Sequence, residues 1–272
     1  MTAAAPLSER VTTLLTTFGL TTAAQECVSR LTQAGHAAAW PVLHDILDLE
    51  RDARQHRRID RLRRASRLPP GKTFDTLDVT RFPAPLMTRL HELADGHFLD
   101  TATNVLAFGL PGVGKSHAMA ALGHALVQAG HAVLFVPAYA LMQDLLAAKR
   151  ALELPRALRK LDLYEVVILD DLGYVQQSPE EAEVLFTLIA ERYERRALAV
   201  TSNLVFSHWD RIFKDQMATA AAIDRLVHHA AILEFDVASY RTDHARRESL
   251  PAAPLRPKGR PPVSVLKRKR MR

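Results

Sequence analysis

The chain has 272 residues, 48% of them hydrophobic, which is enough for one large domain with a sizeable core. Its apolar runs stay well short of the roughly 20 residues that a membrane-spanning helix needs, and its N-terminus lacks the basic-then-apolar order of a signal peptide. The single cysteine, Cys27, excludes an internal disulfide bond. These features predict a protein of the reducing cytoplasm that has no membrane partner.

The net charge of +6 is concentrated in two segments of the chain. Arg51 to Arg67 contains eight arginines and two aspartates, and Arg256 to Arg272 contains eight lysines or arginines and no acid. The remainder of the chain is therefore net acidic. An acidic body with two strongly basic segments predicts a polyanionic partner, first of all nucleic acid. The alternative is a solvated basic helix together with a frayed basic tail.

Residues 1–67 predict a small helical module that becomes basic toward its end. Gly35 interrupts the module, and a long helix is predicted from about Pro41 to Arg67, because its arginines recur at three- or four-residue spacing. Two prolines and a glycine then end the helix, so that residues 68–80 are predicted to form a linker. The candidate DNA contacts on this helix are Arg54, Arg57, Arg58, Arg61 and Arg64.

Residues 81–249 alternate short apolar runs with segments of helical length, which is typical of an α/β fold with a doubly wound parallel sheet. In such a sheet, ligands bind at the carboxyl ends of the strands. Residues 250–272 are basic and rich in proline, and they are expected to be disordered when free. The five predicted strands are Val105–Phe108, Ala132–Val136, Val166–Leu169, Leu198–Thr201 and Ile232–Phe235. The candidate DNA contacts of the tail are Lys267, Arg268, Lys269 and Arg270.

Residues Gly109 to Ser116 fill every fixed position of the phosphate-binding pattern G-x-x-x-x-G-K-[ST]. They follow a predicted strand and precede an Ala- and Leu-rich segment with helical spacing, which is the context that the pattern requires. Glycines let backbone N–H groups approach phosphate oxygens, Lys115 is expected to contact the β- and γ-phosphates, and the Ser116 hydroxyl to bind Mg²⁺. The predicted nucleotide-binding residues are Gly109, Pro111, Gly112, Val113, Gly114, Lys115, Ser116 and His117.

Polar residues also follow the third and fourth predicted strands. Asp170 is expected to bind Mg²⁺, and Asp171 is expected to orient or deprotonate the attacking water. Asn203 would lie beside them, within reach of the γ-phosphate or the water. The alternative is that both strands simply stop at polar turns, in which Asp, Asn and Gly are common. The 12 histidines show no metal-ligand spacing, and the adjacent His228 and His229 are expected to point in different directions.

These residues, in this order and at this spacing, resemble the IstB family of helper ATPases, which are encoded beside the transposase in a class of bacterial insertion sequences. That family belongs to the AAA+ superfamily and is related to the DnaC helicase loaders. The resemblance covers about residues 70–245. The matching segments are Gly109–Ser116, Asp170–Asp171, Thr201–Asn203, Ile223–His229 and Ser239–Arg241.

The resemblance implies a Mg²⁺-dependent ATPase whose active sites are shared between subunits. It implies that Arg225 is the arginine finger that enters the neighbouring subunit's site, and that Arg241 closes on the nucleotide of its own chain. Asn203 matches the position that senses the γ-phosphate. Asp171 stands where many AAA+ proteins have glutamate, and its shorter side chain predicts slow hydrolysis.

The function implied by the resemblance is ATP-dependent help in DNA transposition. ATP-bound copies would assemble as an oligomer on double-stranded DNA, largely independently of sequence, and would recruit or stimulate a transposase, with hydrolysis as the switch. Three alternatives remain open at this stage: a DnaC-like loader of a replicative helicase, a small-molecule kinase, and a nucleotide-binding scaffold without turnover.

Overall fold

The computed structural model describes residues 5–173, 178–213, 215–237 and 239. All five predicted strands are present, and together they confirm the α/β fold with a parallel sheet. The third strand runs three residues beyond its predicted end, through the two aspartates to Leu172. The strands are β1 (Asn104–Gly109), β2 (Val133–Pro137), β3 (Val166–Leu172), β4 (Ala197–Ser202) and β5 (Ala230–Phe235).

The sheet has the strand order β2-β3-β4-β1-β5, and all neighbouring strands are parallel. β3, β4 and β1 lie in the interior of the sheet and have helices on both faces, which explains their continuous runs of Val, Ile, Leu and Ala. Along β1, Leu106 and Phe108 face one hydrophobic layer while Val105 and Ala107 face the other, as the two-residue period of a strand requires.

Helices cover both faces of the sheet. They are α1 (Leu7–Thr17), α2 (Thr21–Gln33), α3 (Ala39–Ala65), α4 (Ala84–Ala94), α5 (Lys115–Gln128), α6 (Ala138–Arg150), α7 (Leu154–Leu161), α8 (Pro179–Arg192), α9 (Asp210–Phe213) and α10 (Gln216–Val227). One layer is formed by α6 to α10 around Met142, Leu185 and the fully buried Trp209. The other layer is formed by α4, α5 and the end of α3, around Leu90 and Met119.

The N-terminal helices have a small hydrophobic cluster of their own, formed by Val11, Leu15, Ala24 and Leu47. The end of α3 instead contacts the α/β core. Ile59 belongs to the core layer around α5, Arg58 donates a hydrogen bond of 3.1 Å to the carbonyl of Gly130, and the N–H of Phe135 donates one of 2.7 Å to the carbonyl of Ser66. The division of the chain at residue 67 therefore remains a prediction about which parts fold independently.

Several sequence-based expectations lie outside the described residues. These are the basic tail at 250–272 with its four candidate DNA contacts, and Arg241. Within the described ranges, no helix is long and apolar enough to cross a membrane.

Arg192, at the end of α8, is a buried cation that connects the end of α7, the loop before β3 and the start of β4. Its guanidinium donates to the carbonyl oxygens of Leu161, Tyr164 and Ala197 at 2.9, 3.0 and 3.0 Å. Burial lowers the pKa of Arg192 to about 10, since the charged form loses its hydration. The nearest carboxylate, that of Asp162, lies 3.9 Å away and opposes this shift only in part.

We expect Arg192→Met to lower the free energy of unfolding by about 3 kcal/mol or more, because buried carbonyl groups lose their donors. The matched control is Arg196→Met, since Arg196 is exposed on the same turn. Urea unfolding of both variants measures the difference, and an equal loss in the two would contradict this role of Arg192.

Candidate nucleotide-binding site

The phosphate loop connects the end of β1 to the start of α5 at Lys115. Gly112 and Gly114 have φ angles of 82° and 101°, a region of backbone conformation that favours glycine. A Cβ atom at Gly109 would lie 2.5 Å from the carbonyl oxygen of Phe235, and one at Gly114 would lie 2.9 Å from the ring of Phe82. The loop therefore needs glycine both for its backbone shape and for its close contacts.

Lys115 is the first residue of α5 and is 5% exposed. Its ammonium group donates to the carbonyl oxygens of Gly109 and Leu110 at 2.8 and 2.9 Å, so that the side chain curls over the loop. The first N–H groups of a helix have no partner within the helix, and the helix dipole favours negative charge at this end. Loop, lysine and helix end together form a site for an anion such as a phosphate.

The two aspartates are held by the hydroxyl of Thr201 on the neighbouring strand. This hydroxyl donates to Oδ1 of Asp170 at 2.7 Å and accepts the N–H of Asp171 at 2.8 Å. The regular pairing of β3 with β4 is interrupted between Leu169 and Leu172, and Asp171 has a φ angle of 59°. The interruption gives the aspartates different environments, since Asp170 is partly buried and Asp171 is exposed.

Thr201 has no exposed surface and was not among the predicted site residues. It belongs to the Thr201–Asn203 segment that ends β4, but the sequence pattern does not show that its hydroxyl faces the aspartates. Only the pairing of β3 with β4 places it there.

Asn203 faces the same cavity as Asp171. Its Oδ1 atom is buried and has no hydrogen-bond partner among the described residues. A buried acceptor without a donor lowers the free energy of unfolding by about 1–3 kcal/mol, so this atom fits a hydrogen-bond donor bound in the cavity, such as a water molecule. The donor set of Asp170 and Ser116, a carboxylate and a hydroxyl, also fits Mg²⁺, which prefers oxygen ligands.

The phosphate loop, Asp171 and Asn203 line one cavity of about 640 Å³. This volume lies within the range of about 300–1,000 Å³ that is typical of small-molecule sites. The opposite wall comes from the segment between α3 and α4, most of which the sequence predicted to be only a linker. Its lining residues are Lys72, Thr76, Leu77, Asp78, Arg81 and Phe82.

His117 connects this wall to the phosphate loop. Its Nε2 atom lies 3.1 Å from Oγ1 of Thr76 and 3.2 Å from the carbonyl oxygen of Thr73. Thr73 and Thr76 also cap a short 3₁₀ helix through reciprocal hydrogen bonds. His117 therefore lines the cavity and holds one of its walls, while its contact with a nucleotide stays a prediction.

Arg225 does not join these residues. It lies in the last turn of α10, where its backbone carbonyl lies 3.4 Å from the side-chain amide of Asn104, the first residue of β1. β1 has six residues, so its first residue lies about 17 Å from the phosphate loop at its other end. The Arg225 guanidinium lies 5.1 Å from the centre of the Phe186 ring and donates to the carbonyl of Ala221 at 3.0 Å.

The candidate DNA contacts on α3 fall into two groups. Arg54 and Arg57 pair with Glu50 at 2.6 and 3.2 Å, and the hydrogen bond from Arg54 is the main cause that lowers the pKa of the Glu50 carboxyl group. Arg58, as described above, bonds to the core. Arg61 and Arg64 are exposed, and within the described residues their side chains have no hydrogen bond or ion pair.

The chain matches the family model of the IstB-like ATP binding proteins over residues 12–248. A relative from Sinorhizobium fredii, named provisionally as an insertion sequence ATP-binding protein, is 44% identical over 226 residues, covering 82% of this chain and 74% of the relative. Another, from Pseudomonas aeruginosa and named for insertion sequence IS21, is 38% identical over 201 residues, covering 74% of this chain and 76% of the relative.

Solved structures share the fold at low sequence identity. The DnaC helicase loader aligns with a TM-score of 0.50 and 18% identity, covering 61% of this chain and 97% of DnaC. The replication initiator DnaA, solved with AMPPCP and single-stranded DNA, aligns with a TM-score of 0.53 and 14% identity, covering 70% of this chain and 59% of DnaA. The chain belongs to the IstB family of insertion-sequence ATP-binding proteins and shares the fold of this helicase loader and this initiator.

Proposed function

We propose that this protein is a Mg²⁺-dependent ATPase that assists DNA transposition. ATP-bound copies assemble on double-stranded DNA and recruit or stimulate a transposase, and hydrolysis ends that state. The observation that carries the ATPase part is that Asp171 and Asn203 line one cavity with the phosphate loop, while the hydroxyl of Thr201 holds Asp170 and Asp171. Membership of an insertion-sequence family supports the part in transposition.

In the proposed reaction, the loop amides and Lys115 bind the phosphates of ATP. Lys115 exchanges its contacts with the two loop carbonyls for contacts with the β- and γ-phosphates. Oδ1 of Asp170 accepts a hydrogen bond from Thr201, and the Asp170 carboxylate and the Ser116 hydroxyl are the groups that would hold Mg²⁺. Mg²⁺ bound there supplies neutralisation of the charge on the phosphate oxygens.

Asp171 and Asn203 act on the attacking water. The exposed carboxylate of Asp171 accepts a proton from the water or orients it, and the unpaired Oδ1 of Asn203 accepts a second hydrogen bond from it. Because aspartate is one methylene shorter than glutamate, its carboxylate reaches less far toward the γ-phosphate. Slow hydrolysis follows, and it suits a switch whose ATP-bound state must persist.

Arg225 completes the site of a neighbouring subunit. Its position at the amino end of β1, far from the phosphate loop of its own chain, supports this role. In the neighbour's site its guanidinium would stabilise the charge that develops on the γ-phosphate. The hydrolytic site is then complete only in an assembly, so that hydrolysis depends on oligomer formation.

A DnaC-like helicase loader is the second candidate function. The likeness to DnaC is one of fold, at 18% identity, whereas the relatives named for insertion sequences reach 44% and 38% identity. The family relation therefore favours the role in transposition.

Lys115→Ala is expected to weaken ATP binding by roughly 100-fold or more, because it removes charged hydrogen bonds to two phosphates, each worth about 1.5–3 kcal/mol. Lys149→Ala on α6 is the matched control, since that lysine pairs with Glu183 on the surface. Calorimetric titration with ATP measures both variants. Unchanged affinity in Lys115→Ala would refute the assignment of the phosphate loop.

Arg225→Ala is expected to bind ATP normally and to hydrolyse it about 1,000-fold more slowly, at the lower end of the range for arginine fingers. Mixing it with Lys115→Ala should restore part of the activity, because mixed assemblies contain sites with both residues intact. Arg89→Ala, on the surface of α4, is the control. A steady-state ATPase assay with duplex DNA present measures this. Mixtures that are no more active than the separate variants would exclude a role in trans.

The double variant Arg61→Ala/Arg64→Ala is expected to weaken duplex DNA binding and its dependence on salt. The slope of log K against log salt concentration should fall by about 0.9 for each lost phosphate contact. Arg51→Ala is the control, because Arg51 already pairs with Asp48 and Asp52. Gel shifts with ATP, with ADP and without nucleotide measure both properties. An unchanged salt slope would show that Arg61 and Arg64 do not contact DNA phosphates. Equal DNA binding with ATP, with ADP and without nucleotide would contradict the proposed ATP switch.

A further inference from the structure

Two turns at the amino edge of the sheet bring Glu194, His228 and His229 together. Glu194 lies in the turn between α8 and β4, and the two histidines lie in the turn between α10 and β5. The sequence suggested that the adjacent histidines would point in different directions, and this expectation is wrong. Their ring centres are 4.2 Å apart, in the turn that follows α10.

We propose that Glu194, His228 and His229 form a binding site for a zinc ion. Nδ1 of His228 and Nε2 of His229 lie 3.8 and 3.9 Å from the same carboxylate oxygen of Glu194. The ligand atoms of the three residues all lie within 4.8 Å of one another. Tetrahedral zinc with bonds of about 2.0–2.2 Å holds its ligands about 3.3 Å apart, so the distances between these ligand atoms must shorten by about 0.5 to 1.5 Å to close the site.

The backbone of both turns is held by buried polar groups. The N–H of Asn104 donates to the carbonyl of His229 at 2.7 Å, and its side chain donates to the carbonyl of Leu226 at 3.0 Å. The same side chain accepts the N–H of Leu198 on β4 at 2.9 Å. Arg192 holds the other turn through its bond to the carbonyl of Ala197. Zinc would therefore need to order only three exposed side chains.

The hydroxyl of Tyr193 also contacts His228. Its oxygen lies 2.8 Å from Nδ1 of His228. In the tautomer of His228 that carries its proton on Nε2, the phenol donates to the lone pair of Nδ1. A metal needs this same lone pair, so that Tyr193 and zinc compete for it.

The charges around the cluster are mixed, and the type of ligand favours zinc. The carboxylates of Glu194 and Asp224 attract a cation, while the guanidinium of Arg225 opposes one. Two imidazoles and one carboxylate suit Zn²⁺, whereas Mg²⁺ prefers oxygen ligands alone. Three protein ligands leave a fourth position for water. The proposed ion would join the two turns beside Arg225, and its binding does not depend on the nucleotide site.

The test is a titration of the full-length, metal-free chain with ZnCl₂ against a chromophoric chelator, without nucleotide. We expect one zinc per chain at this site, and at least tenfold weaker binding in His228→Gln, His229→Gln and Glu194→Gln. Tyr193→Phe should bind zinc more tightly, because the competing donor is gone. His56→Gln, which alters an exposed histidine on α3, is the control and should bind like the unaltered chain.

Urea unfolding without metal checks that the glutamine variants remain folded. Added zinc should raise the unfolding midpoint of the unaltered chain and of Tyr193→Phe, but not that of the three ligand variants. The proposal is overturned if the unaltered chain takes up no zinc at 100-fold molar excess. It is equally overturned if the three ligand variants bind zinc with unchanged affinity, or if Tyr193→Phe no longer binds zinc. None of these outcomes bears on ATP hydrolysis, which is measured separately.

Discussion

The parallel pairing of β3, β4 and β1 is the constraint on which both edges of the molecule depend. Because adjacent parallel strands run in the same direction, their carboxyl ends meet at one edge of the sheet and their amino ends at the other. The phosphate loop, Asp171 and Asn203 share the first edge, and Asn104 and Arg225 share the second. Arg225, which is proposed to act in a neighbour's site, is thus separated from the site of its own chain by the length of a strand.

At the carboxyl edge, the buried hydroxyl of Thr201 determines how the two aspartates differ. It holds the side chain of Asp170 and the backbone of Asp171, which leaves the Asp171 carboxylate exposed toward the cavity. The opposite wall depends on His117, which ties the segment before α4 to the phosphate loop. A site of few polar groups is therefore shaped by contacts between distant parts of the chain.

At the amino edge, Asn104 and Arg192 have the corresponding role. Each is buried and hydrogen-bonded to backbone groups of neighbouring helices and strands. This arrangement is rigid, because losing any one bond leaves a buried group unpaired. These turns carry the exposed side chains of Glu194 and His228, and the last turn of α10 carries the partly buried Arg225, the proposed arginine finger. The edge that is proposed to face a neighbouring subunit thus has a fixed backbone and adjustable side chains.

Sequence alone determined the α/β class, the five strands and the phosphate loop, because these depend on local spacing: apolar runs, glycines at positions of positive φ, and a lysine at a helix start. Tertiary structure alone decided which residues meet. No spacing indicates that Thr201 bridges the aspartates, that the segment 72–82 walls the cavity, or that Glu194 approaches His228. These contacts arise from strand order and from turns, which bring together residues far apart in sequence.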